Sequence, residues 1–131
     1  MPAQTSSASK DVHNEIGRSR SVVLSYLLKL NKSIDARHSD LVQAIAQRFN
    51  EVLVDYVSYG YFRLLGECTP QTHQLVAIER TTQQALRFTD KYTTRRQIPL
   101  AELKRDLEAL ALALEVRFEI EDEVVSTTVA A

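Results

Sequence analysis

Residues 41–65, LVQAIAQRFNEVLVDYVSYGYFRLL, constrain the fold more than any other stretch of the chain. At about 100° per residue, Val42, Ala46, Phe49, Leu53, Tyr56, Val57, Gly60 and Leu64 fall on one side of a helix. That is the apolar stripe a helical bundle buries. The opposite side carries Arg48, Glu51, Asp55, Ser58, Tyr59 and Phe62. A merely solvated face would hold Lys, Glu and Gln, so two rings beside two carboxylates need a reason. Either another part of the chain covers the rings, or the strip docks a basic partner, with aromatics as anchors and rim charges as guides.

The flanking segments read as three more helices. Residues 1–9 are small and polar and are expected to form a disordered lead. From 11 to about 30, Ile16, Val23, Leu24, Leu27, Leu28 and Leu30 recur at helical steps, with Arg18, Arg20 and Lys29 elsewhere round the turn. Residues 31–38 suit a connection, after which Ser39 or Asp40 can cap the second helix, Asp40 and Gln43 resembling a capping box. Gly66 is expected to end that helix, and Thr69-Pro70 to open the third. Leu75, Ile78, Thr82, Ala85, Leu86, Phe88 and Tyr92 form its stripe, which Thr weakens. Residues 93–98, with Arg95-Arg96, make the last connection, and Pro99 restarts a helix to about Val125. Its seam is Leu100, Leu103, Leu107, Leu110, Leu114 and Phe118, broadened by Leu112, Val116 and Ile120 to face two neighbours. Short connections favour antiparallel neighbours, so the predicted fold is an all-α, up-and-down antiparallel four-helix bundle over residues 10–125, with residues 126–131 a fraying tail.

The 131 residues fit one domain, and 44% apolar with 25% charged content is that of an ordinary soluble globular protein. A net charge of −1 argues against direct nucleic-acid binding, which a basic excess would advertise. The single cysteine, Cys68, excludes an internal disulfide and fits a reducing compartment. No run approaches the roughly 20 apolar residues of a membrane span, and the polar start lacks a signal peptide's apolar segment. The expected location is the cytoplasm.

Groups for catalysis are few. His13, His38 and His73 form no Glu-x-x-His pair, and Asp35 with His38 has the related spacing only once, in a connection. No Cys pair suits zinc and no glycine-rich loop suits phosphate, so no catalytic, cofactor or metal site is expected. Cys68 and His73 are the one conceivable nucleophile pair, although a lone Cys at a helix boundary is more often packing. Near the end of the fourth helix Glu115, Glu119, Glu121, Asp122 and Glu123 crowd where the helix dipole disfavours them, with Arg117 as partial relief. They read as a solvated face answered by basic residues of a neighbouring helix, or as repulsion that a cationic partner relieves.

Two motifs resemble a known family. LVDYVSYGYF at 53–62 and LEVRFEIED at 114–122 match, in order and spacing, the Leu-Val-Asp-Tyr-x-Ser-x-Gly-x-Phe and Leu-Glu-x-Arg-Phe-x-x-Glu-Asp of the Rsd/AlgQ family. The third helix matches weakly over 84–92, and in the first Arg20, Leu24 and Tyr26 stand where members carry Arg-Trp-Leu. The resemblance implies an all-helical anti-sigma factor that binds the primary sigma factor of RNA polymerase, chiefly its C-terminal promoter-reading region. It places Asp55, Ser58 and Phe62 on the sigma-binding surface, and helical spacing adds Glu51 and Tyr59. The second motif reads as packing and support. The alternatives are a helical adaptor for another regulatory protein, such as a phosphotransferase carrier or an alarmone hydrolase, and a small helical enzyme. A monomer is expected, with weak self-association through Tyr59 and Phe62 a further option.

Overall fold

The structure, a computed structural model, describes the backbone of residues 2–95 and 97–130 and the side chains of 11–95 and 97–127. Four helices account for nearly all of it: α1 (Pro2–Asp35), α2 (Ser39–Glu67), α3 (Thr72–Thr93) and α4 (Leu100–Ala130). Each packs on its two neighbours round a ring, while α2 and α4 meet only slightly across the diagonal. Polar contacts fix the directions. Arg63, late in α2, pairs with Glu15, early in α1. Lys104, early in α4, pairs with Asp35 at the end of α1, and Gln74, early in α3, donates to Glu123, late in α4. All neighbours are therefore antiparallel, as an up-and-down four-helix bundle requires.

Every apolar position assigned to the inner face of α2 is buried, and Phe49 packs edge-on against Phe88 of α3, ring centroids 5.8 Å apart. The stripes of α1 and α4 are narrower than expected. Leu24 and Leu28 on α1, and Leu112 and Val116 on α4, are exposed. A helix in a ring of four presents a limited arc to its two neighbours, and these residues lie beyond it. The expected polar lead and fraying tail fall within α1 and α4, which run from Pro2 and to Ala130. Met1 and Ala131 lie outside the described residues, as does Arg96 of the expected Arg95-Arg96 pair.

The helix boundaries correct several expectations. α1 continues past Leu30 to a Schellman ending, in which Arg37 N–H donates to Ile34 O at 3.0 Å and His38 N–H to Ser33 O at 3.4 Å. The left-handed residue such an ending needs is Arg37, φ 58°, where a glycine would signal it in a sequence. Ser39 and Asp40 lie inside α2, whose N-cap is His38 without a side-chain capping bond, so the Asp40–Gln43 box does not form. Gly66 does not end α2, which continues to Glu67. α3 opens at a Gln71–Gln74 capping box and not at Thr69-Pro70, while Pro99 accepts the first bond of α4 from Leu103 N–H at 2.9 Å.

The two misplaced stop signals make a stability prediction. A methyl group at Gly66 would meet nothing within 4 Å, so Gly66→Ala should stabilise the helix by about 0.5–1 kcal/mol. Arg37→Gly should contribute a similar amount by relieving the left-handed strain. Urea melts of the two variants check this, and a loss of stability in either contradicts the assigned backbone.

Candidate functional site

Glu51, Asp55, Ser58 and Phe62 recur at steps of four, three and four residues, so they line one stripe of α2. The stripe points to solvent. Phe62 is 76% exposed and Tyr59 54%, so neither ring is covered by the chain's own fold. Leu65, also exposed, continues the sequence Tyr59, Phe62, Leu65 at three-residue steps. Such neighbours touch on a helix surface and form an apolar ridge.

The charges beside the ridge differ in their availability. Glu51 already accepts from Arg48 Nη1 at 2.9 Å, in a solvent-exposed pair that water and salt screen. Arg63 is held by Glu15 at 3.2 Å and Glu67 at 2.9 Å. Asp55 has no cationic partner among the described residues. A surface with its cations engaged and one carboxylate open favours a positively charged partner.

Tyr59 and Asp55 also face a second helix. With Tyr56 they border a groove of about 420 Å³ whose far wall is Ser19 and Val22 of α1 and whose floor includes Val52. The α1 wall is not visible in the sequence, because Ser19 and Val22 lie off its core stripe and only the packing of α1 on α2 brings them to the groove. Val22 is an exposed apolar residue at the groove, so the surface spans two helices.

Beneath this groove lies an ionic cluster that ties the four helices together. Arg117 and Glu121, one turn apart on α4, are fully buried and joined Nε to Oε2 at 2.9 Å. Arg117 also donates to Ile78 O at 3.1 Å and Thr82 Oγ1 at 2.7 Å on α3, and to Val57 O at 3.3 Å on α2. Glu121 accepts from Arg20 of α1 at 3.1 Å and from the Tyr56 hydroxyl of α2. Burial, with the adjacent Glu121 charge, pushes the Tyr56 hydroxyl far up, so it remains a donor. Arg20 in turn lies over the Phe118 ring, 4.7 Å from its centroid, and Phe118 meets Tyr56 edge-on at 5.8 Å. The groove wall at Tyr56 is thus held by a polar network in which, among these four side chains, Arg20 Nε is left without a partner.

The second sequence motif is therefore internal only at Leu114, Arg117 and Glu121. Glu115, Glu119, Asp122 and Glu123 are exposed, although Asp122 pairs with Arg20 at 3.0 Å and Glu123 accepts from Gln74 at 3.1 Å. Because α4 extends to Ala130, these carboxylates sit ahead of its last turn, where the dipole no longer acts strongly. Cys68 is buried and His73 is exposed beside Glu123. Among the described residues no three His, Cys, Asp or Glu side chains converge to hold a metal ion, and no helix is long and apolar enough to cross a membrane.

Compared with known proteins, residues 4–129 match the family model described as regulator of RNA polymerase sigma(70) subunit, Rsd/AlgQ. No curated protein and no solved structure gave a match.

Proposed function

The chain belongs to the Rsd/AlgQ family of regulators of the RNA polymerase sigma(70) subunit, and from this we propose that it is a stoichiometric anti-sigma factor acting in the cytoplasm. It sequesters the primary sigma factor by its C-terminal promoter-reading region, which is basic because it contacts DNA. Capture would withhold that region from core polymerase and from promoter DNA together.

The observation that supports this reading best is the open Asp55 carboxylate beside the exposed Phe62. Phe62 serves as the apolar anchor, Asp55 and Glu51 meet Arg or Lys of the partner, and Ser58 and Tyr59 allow close approach and hydrogen bonding. The partner displaces Arg48 from Glu51, at little cost since that pair is solvated.

Purification of the tagged chain from cells, read for free sigma against holoenzyme, tests the mode of action. Free sigma is expected, and recovery of intact holoenzyme or of an unrelated regulatory protein in its place would overturn it. Titration of purified sigma with Phe62→Ala should show a loss of about 2 kcal/mol, or roughly 30-fold in affinity. Unchanged affinity with the fold intact would place the anchor elsewhere.

A further inference from the structure

We propose that the groove between α3 and α4 is a second protein-docking site, which takes an acidic peptide segment carrying one bulky apolar side chain. It lies across the bundle from the α1–α2 groove, since the ring order opposes these two helix pairs. The inference stands independently of the sigma-binding reading, because it uses none of the same residues.

The cavity is about 240 Å³, with buried Phe88 and Leu110 at its base. It exists because α4 presents Ala109 and Ala113, one turn apart, to α3, and neither methyl group fills the space between the helices. Small-molecule sites commonly run to about 300–1,000 Å³. The smaller size favours a single leucine- or phenylalanine-sized side chain, which is how interface anchors are seated.

Charge selects the rest of the partner. At the far end Lys91 bonds Asp106 at 2.7 Å and Glu102 at 2.6 Å, and Arg95 bonds Glu102 at 3.0 Å, so two cations and two carboxylates cancel. Burial works to raise the Asp106 carboxyl, but the bonds from Lys91 and Tyr92 outweigh it and hold the group below the usual carboxylate range. That end therefore stays internally neutral at physiological pH. On the rim, Arg87 is exposed beside Gln84. Both also border an adjoining hollow that contains Arg80 and Gln83. Arg80 and Arg87 have no carboxylate partner among the described residues, and Glu79, on the α2 side of α3, accepts instead from Tyr61 at 3.1 Å. Two open guanidiniums two turns apart on α3, Arg87 on the cavity rim and Arg80 beyond its Gln84 end, call for one carboxylate beside the seated side chain and another further along the segment.

The test uses the full chain carrying Asp55→Arg and Phe62→Ala, which removes the α2 surface, as bait for a library of short random peptides displayed on phage. Enriched peptides are expected to combine Asp or Glu with one bulky apolar residue. Their binding should fall at least about tenfold on adding Arg87→Glu, which removes the cation, or Ala113→Leu, which fills the cavity. Arg87→Lys should retain most of it. Absence of enrichment, enrichment of basic peptides, or acidic peptides indifferent to both substitutions would overturn the proposal. Thermal melts show whether each variant keeps the bundle, and Arg87, being exposed, gives a variant that does not disturb the core.

Discussion

Replacing Glu121 by leucine is expected to cost about 3–5 kcal/mol of folding stability, a large part of the roughly 5–15 kcal/mol that a domain has. The reason is what remains. Arg117 would keep its bonds to Ile78 O, Val57 O and the threonine hydroxyls, but it would be a fully buried cation with no counter-charge. The Tyr56 hydroxyl would lose its acceptor at the same time. Removing Arg117 as well, by Arg117→Leu with Glu121→Leu, should recover part of the loss, because Thr81 and Thr82 still bond Ile78 O at 2.9 and 2.8 Å without it. Urea unfolding of the two single variants and the double variant forms the required cycle. A cost below about 1 kcal/mol for Glu121→Leu would mean that the pair is not buried as described.

Asp55→Arg is expected to weaken sigma binding by about 2–5 kcal/mol, more than any truncation on the same stripe, since it replaces an attraction by a repulsion in a desolvated contact. The bundle should be unaffected, as Asp55 is exposed and supports no ion pair among the described residues. Glu51→Gln should act more weakly and mainly on association rate, because Glu51 lies in a solvated pair with Arg48. Calorimetric titration with the basic C-terminal region of the primary sigma factor separates the two. Equal affinity for the Asp55→Arg variant would mean that sigma binds elsewhere on the bundle.

The inner face of α2 was fully legible because eight positions keep one helical period and all eight are buried. The outward aspect of Asp55, Ser58, Tyr59 and Phe62 followed from the same period. Helix ends were legible only where a local signal coincided with the backbone. Arg37 in a left-handed conformation and Gln71 as a cap carry no such signal, and Gly66 gave a false one, since a glycine can also continue a helix. The depth of Glu121 was illegible for another reason. Carboxylates at 119, 121, 122 and 123 look alike in sequence, and only the phase of α4 against Arg20, Tyr56 and Arg117 selects the one that is buried. The α1 wall of the groove depends likewise on residues more than thirty positions apart, Val22 and Asp55, lining one hollow.

On the proposed function, the outer stripe of α2, with the adjacent α1 wall, captures a cationic region of sigma. Nuclear magnetic resonance of the isotope-labelled chain, titrated with the C-terminal region of the primary sigma factor, tests it residue by residue. The largest amide shifts are predicted at Asp55, Ser58, Tyr59 and Phe62, with smaller ones at Ser19 and Val22. Shifts confined to α3 and α4, or a complex that leaves the signals of 51–62 in place, would contradict it.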